Sequence, residues 1–273
     1  MVRGLLISTV SSVAMTTSAF AAGAPPIPPL PIFSWTGVYA GINAGGSFGN
    51  FNKTNLYEGT PFAWDSTRAE GFSGGGQFGF NYQFLNNLVL GFETDFQGSS
   101  LRGNYGDRAH SYSYSEDEGF SFGSGSSLRT SQANLEWWGT VRGRLGYAFG
   151  NILPYITGGF AYGRIHTSST YSASGSGCYF GCEGSYSYSH YYAHSSSSVQ
   201  PGWTIGAGVE YALTHNLTFK FEYLYTELGA WDHAWNNDPG YYTSTDLSFH
   251  TVRAGLNWKF DWFGPPLFGP PGG

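Results

Sequence analysis

The chain has 273 residues, 11% of them charged and 19% aromatic, with 41 glycines and a formal net charge of −6. A negative balance gives no nucleic-acid footprint, and so many aromatics exclude a glycine-rich disordered chain. Few charges, many aromatics and abundant glycine fit a membrane β-barrel, whose strands turn only alternate residues to lipid.

Taken in chain order, residues 1–21 read as a cleaved export signal. Arg3 supplies the positive start, Leu5 to Ala14 is a short apolar stretch, and Ala19-Phe20-Ala21 is a small-x-small cleavage site. The stretch is too short and too polar for a transmembrane helix, which needs about 20 apolar residues. Residues 22–34 form a proline-rich leader, AGAPPIPPLP at its start, which cannot join a sheet interior and is expected to be a stiff spacer.

From Trp35 the pattern has period two, the signature of a strand with two unlike faces. Val38, Ala40, Ile42 and Ala44 oppose Gly37, Tyr39, Gly41 and Asn43. A polar stretch runs to Glu70. Phe78, Phe80, Tyr82 and Phe84 then oppose Gln77, Gly79, Asn81 and Gln83, and Asn86-Asn87 is a tight-turn signal. Leu88, Leu90, Phe92 and Phe96 face away from Glu93 and Asp95. Leu135, Trp137, Val141, Leu145, Tyr147 and Phe149 oppose Glu136, Arg142 and Arg144, and the chain turns at Gly150-Asn151 and returns from Ile152 to Ile165. Trp203, Ile205, Val209 and Tyr211 stand against Thr204 and Glu210. After a turn at Thr214 to Asn216, Leu217, Phe219, Phe221, Tyr223 and Tyr225 stand against Thr218, Lys220 and Glu222. The last segment, Phe249 to Phe260, sets Val252, Ala254, Leu256, Trp258 and Phe260 against Thr251, Arg253, Gly255, Asn257 and Lys259.

The octad in that last segment, Arg253-x-Gly255-x-x-Trp258-x-Phe260, recurs from Gln77, from Arg142 (with Arg144 in the glycine's place) and from Thr204. Each copy ends at a short turn or at the end of the pattern, so four strands run one way and four return. Connections are short near 85–87, 150–151 and 213–216, and long near 49–70, 99–132, 168–198 and 230–246. The expected fold is all-β: an eight-stranded antiparallel up-and-down transmembrane β-barrel over residues 35–260. Its turns would be short on the periplasmic side and its four long loops extracellular. Strands of roughly 11 to 15 residues would span the bilayer with some projection. A proline- and glycine-rich tail, 261–273, follows.

Charge decides which face points outward. The polar faces carry Glu93, Asp95, Glu136, Glu210 and Glu222 against Arg142, Arg144, Lys220, Arg253 and Lys259. Five acids matched by five bases suit a sealed interior, where each charge must find a partner. The apolar faces then meet lipid, and aromatics near the short turns form an interfacial girdle.

Trp35-Thr36-Gly37-x-Tyr39-x-Gly41, PYITGGFAYG from Pro154 and VRAGLNWKF from Val252 resemble the small outer-membrane β-barrel family of alphaproteobacteria, immunogenic surface proteins labelled porin-family or OmpA-like. The resemblance covers Trp35 to Phe260. It implies the cell outer membrane of a Gram-negative bacterium as location, lipid as surroundings and the barrel-assembly machinery as a transient partner. Arg253, Gly255, Trp258 and Phe260 are similar to the signal that this machinery reads, although family barrels end at the terminal aromatic and this chain continues.

No residue pattern announces chemistry. Gly74-Gly-Gly76-Gln-Phe-Gly79 matches a dinucleotide fingerprint by letters but lies in a strand and opens no helix. There is no HExxH, no serine elbow and no Walker loop. The expectation is therefore no enzyme and no cofactor, but a structural or surface barrel with a plugged lumen and loops that meet a host or extracellular ligand. A narrow porin-like channel, adhesion, and haem or other ligand binding at the loops are the alternatives. Eight strands leave a lumen that side chains fill, which argues against a steady pore. Cys178 and Cys182, four apart in a Gly/Ser/Tyr-rich stretch, read as a disulfide loop of an oxidising compartment. His190 and His194, among the tyrosines of that stretch, are the residues a haem-binding loop would use.

Overall fold

The computed structural model describes residues 33–115, 121–179, 182–234 and 241–260. The expected signal peptide, the leader up to residue 32 and the tail from Asp261 lie outside the described residues. Eight strands follow one another: β1 (Gly37–Tyr57), β2 (Thr60–Gln83), β3 (Leu88–Ser115), β4 (Ser121–Tyr147), β5 (Ile152–Tyr179), β6 (Gly184–Ala212), β7 (Leu217–Ala234) and β8 (Tyr241–Phe260). Each pairs antiparallel with the next, and β8 pairs back onto β1, from Val38 opposite Phe260 to Tyr57 opposite Tyr241. The sheet is a closed barrel in chain order, so its membrane-level strands have no edge.

The strands are longer than expected, from 18 residues in β7 to 29 in β6. Much of what reads as long loop is hairpin. Ser168–Tyr179 pairs residue for residue with Gly184–Ser195, for example. In this stretch serine, glycine and tyrosine alternate without contrast in hydrophobicity, so the period exists but carries no apolar signal. The pairing β2–β3 runs only as far as Ala69 opposite Gly103, and β6–β7 only as far as Gly202 opposite Leu228. Above that level the barrel parts into two four-stranded leaves, β3 to β6 and β7–β8–β1–β2.

The outer surface locates the bilayer. Phe84, Tyr147, Phe149, Tyr211, Trp258 and Phe260 ring the end with the short turns. Phe48, Phe72, Phe96, Trp137, Trp203 and Tyr225 ring the strands higher up, and the outward positions between are mainly apolar. Beyond the upper ring the outward residues become polar: Asn50, Glu70, Arg102, Glu136, Arg164 and Glu227. The belt takes about ten residues of each strand, the length of a tilted membrane strand.

The buried inward side chains group into three tiers. At the short-turn end Phe33, Trp35, Val89, Ala148, Leu153 and Ala212 pack together. Phe33 thus belongs to the barrel's mouth, whereas the sequence places it in the spacer; an aromatic beside prolines carries no periodic signal to mark it. The Trp35 indole N–H donates to the Gly150 carbonyl at 3.1 Å, and its backbone N–H donates to the Gln83 side chain at 2.9 Å, stitching the segment to the rim. The middle tier is charged. The upper tier is apolar again, built from Phe51, Leu101, Leu135, Trp138, Ile165, Leu224, Leu228, Leu247, Phe249 and three alanines, all at most 2% exposed.

Curvature this tight needs glycine where backbones meet. A Cβ at Gly75 would lie 1.9 Å from the Phe96 carbonyl oxygen, whereas its neighbours Gly74 and Gly76 have ordinary clearance. The glycine run that mimics a nucleotide fingerprint is a packing device in β2.

Candidate functional site

The middle tier draws on five strands. Glu93 and Asp95 come from β3, Arg142 and Arg144 from β4, Glu210 from β6, Lys220 and Glu222 from β7 and Arg253 from β8, all nearly or fully buried. They point inward because each occupies the polar parity of its strand. Arg142 donates to Glu93 at 2.5 Å, Asp95 at 2.9 Å and Glu222 at 3.0 Å. Arg253 donates to Glu222 at 2.8 Å and Asp95 at 2.7 Å. Arg144 donates to Glu210 at 2.8 Å, and Lys220 to Glu93 at 2.8 Å. Four carboxylates meet four cations, and each of the eight has an ion-pair partner. With the bilayer outside and apolar tiers above and below, such pairing offsets desolvation.

Two of the ten residues expected in this network stand elsewhere. Glu136 is on the outer surface, 42% exposed, paired at 3.1 Å with the equally exposed Arg164. The register of β4 against β5 shifts between Leu135 and Trp137, a bulge that reverses parity, so Leu135 and Trp138 are inward and Glu136 faces out. The expected outward placement of Leu135 fails for the same reason. Lys259 does point inward but at the mouth, where its ammonium donates to the Ser34 carbonyl at 2.8 Å and lies 4.6 Å from the centre of the Phe33 ring.

Neutral partners completing the network were not singled out by sequence. Tyr39 accepts from Arg144 at 2.6 Å and donates to Glu93 at 2.8 Å. Tyr155 donates to Glu222 at 3.0 Å, and the Arg144 guanidinium stacks 3.9 Å over its ring. Gln77 bonds both Asn43 and Asn257, and Asn257 donates to Glu210 at 2.7 Å. Their signal was parity: Tyr39, Asn43, Gln77 and Asn257 all lie on the polar faces.

Of the octad of β8, Arg253 and Gly255 face the lumen, while Trp258 and Phe260 project outward in the lower aromatic ring. Cys178 and Cys182 are joined by a disulfide at the tip of the β5–β6 hairpin. His190 and His194 lie on the adjoining part of β6, opposite Ala173 and Ser169. The His190 ring sits 5.6 Å from that of Tyr188 and 6.3 Å from that of Tyr192. Four residues of strand separate the two histidines, which places their Cα atoms about 13 Å apart on the same face. Among the described residues no three His, Cys, Asp or Glu side chains gather as a metal site.

A family model described as outer membrane protein beta-barrel domain matches residues 9–260. The 31 kDa outer-membrane immunogenic protein of Brucella melitensis is 37% identical over 273 residues, covering 94% of this chain and all of the relative. The 25 kDa outer-membrane immunogenic protein of Brucella abortus is 25% identical, covering 94% of this chain and 98% of the relative. The 22 kDa outer membrane protein of Rhizobium leguminosarum is 27% identical over 85% of this chain and 82% of its own length. Among solved structures, the Neisserial surface protein A is matched at 14% identity and a TM-score of 0.27, over 82% of this chain and 98% of that one.

Proposed function

Because the chain belongs to the outer membrane protein β-barrel family and so resides in the cell outer membrane, we propose that it works as a closed, non-conducting barrel that displays its long hairpins at the cell surface. One observation supports the reading: inside the barrel two apolar tiers enclose a charge-matched one. On this reading an ion would have to displace packed side chains, since the interior of an eight-stranded barrel is just wide enough for side chains to fill. Activity then falls to the surface, where β3 to β6 rise furthest beyond the lipid belt and the disulfide-tied β5–β6 tip is available to an extracellular ligand or host molecule. The names of the Brucella relatives call those proteins immunogenic, which suits surface display here too.

Planar-bilayer recording on the refolded, heat-modifiable barrel tests this. The expected outcome is no steady conductance from the monomer. Large, stable unit currents would overturn the closed-lumen reading.

A further inference from the structure

Above the upper apolar tier the lumen opens into a vestibule, and there the wall changes character. Lys53 of β1, Arg108 of β3 and Arg129 of β4 line one cavity of about 60 Å³ together with Asp65, Tyr105 and Ser131. Lys53 is inward by parity, two residues past the buried Phe51. Arg108 is not. Leu101 and Gly103 face inward, so an unbroken strand would turn Arg108 outward. The β3–β4 register shifts between Asn104 and Asp107, where Gly106 takes φ +76° and its N–H donates to the Asn104 side chain at 2.9 Å. That bulge swings Arg108 into the vestibule, directly opposite Arg129.

Like charges set opposite each other destabilise a strand pair, so the bulge builds an arrangement the fold alone would not favour. Asp65 accepts from Arg108 at 2.6 Å. The Lys53 ammonium lies 5.8 Å from the centre of the Tyr105 ring and, among the described residues, is in no ion pair. Burial, then the nearby Arg129, lowers its pKa, with Asp65 opposing and Arg108 adding to the shift. The Tyr105 hydroxyl is buried with no hydrogen-bond partner. Three cations and an unused hydroxyl around a space of this size match a single tetrahedral group.

We propose that this cluster is an oxyanion site that takes one phosphate or sulfate group, with Lys53, Arg129 and the Tyr105 hydroxyl as its donors and Asp65 holding Arg108 in place. The group arrives either as the free anion or carried on a surface saccharide. The site lies above the closed lumen, so it stands whether or not the barrel conducts.

Titration calorimetry on the full refolded barrel at low salt tests it, with inorganic phosphate, glucose 6-phosphate and glucose as probes. Saturable one-to-one binding of phosphate is expected, weakened about tenfold by Lys53→Met and again by Arg129→Met, as loss of a charged hydrogen bond implies. Asp65→Asn removes the one carboxylate at the cavity and should tighten phosphate binding, and Arg164→Gln on the outer wall should change nothing. Heat-modifiable gel mobility confirms that each variant is folded. Glucose 6-phosphate binding far more tightly than phosphate would assign a saccharide-borne group; equal binding would assign the free anion. Absence of phosphate binding, binding indifferent to Lys53→Met with Arg129→Met, or glucose binding as well as its phosphate would overturn the proposal.

Discussion

Arg142 shows why a buried charge is tolerated in this protein. Its guanidinium spans three carboxylates from two strands, Glu93 and Asp95 of β3 and Glu222 of β7. Removing it leaves acids crowded in a dry lumen, and breaking such a group costs about 3–5 kcal/mol. Arg142→Met is therefore expected to lower the urea midpoint of unfolding from lipid vesicles markedly. Glu136→Gln removes a charge that sequence parity places in the same network, yet its pair with Arg164 is nearly half exposed. Such pairs contribute about 0–1 kcal/mol, so that variant should unfold close to wild type. Equal losses in the two variants would contradict the placement of Glu136 outside. Nine of the ten charges expected in the lumen face inward, Lys259 among them at the mouth, because parity alone assigns a side chain to a face. Glu136 does not, because the bulge beside it depends on packing across β5 and leaves no mark in composition.

At the scale of the element, close backbone approach sets the limits. Gly75→Val brings a Cβ against the Phe96 carbonyl and should prevent β2 from pairing with β3, whereas Gly74→Ala has room. The first variant should lose its heat-modifiable band after refolding and the second retain it; the reverse order would show that the register is misread. β8 offers a different test. Its outward Trp258 and Phe260 make no part of the lumen packing, and with Arg253 and Gly255 we propose they form the mark read by the assembly machinery. Trp258→Ala with Phe260→Ala should slow insertion in cells while changing unassisted refolding into detergent little. An equal defect in both settings would assign the pair to stability alone. The octad's repetition made strand number and direction readable, but the hairpins escaped notice because serine, glycine and tyrosine have too little contrast to mark a face.

For the whole molecule, we propose that the two apolar tiers act as redundant seals. Phe33 and Trp35 pack at the short-turn mouth, and Trp138 with Phe249, whose rings meet edge to face at 5.3 Å, packs in the upper tier. Arg142→Met perturbs only the tier between them. It should weaken the barrel without making it conduct, and steady currents from that folded variant would show that the apolar tiers do not seal. The split of the rim into two leaves follows from where pairing stops, at Gly103 on β3 and Gly202 on β6. Closure at lipid level protects every backbone group from hydrocarbon, and above it water can satisfy open edges.

Sequence by itself determined what local alternation and repetition encode: eight strands, their direction, the lipid-facing sides and a charge-matched interior. Each of these rests on period two and on the expense of unpaired charge in a dry space. Tertiary structure alone decided where that period breaks. The bulges at Glu136 and Gly106 reverse parity, the first sending a charge out of the lumen and the second bringing Arg108 into the vestibule. A bulge is settled by how neighbouring strands fit around a closed barrel, and no single strand carries that information.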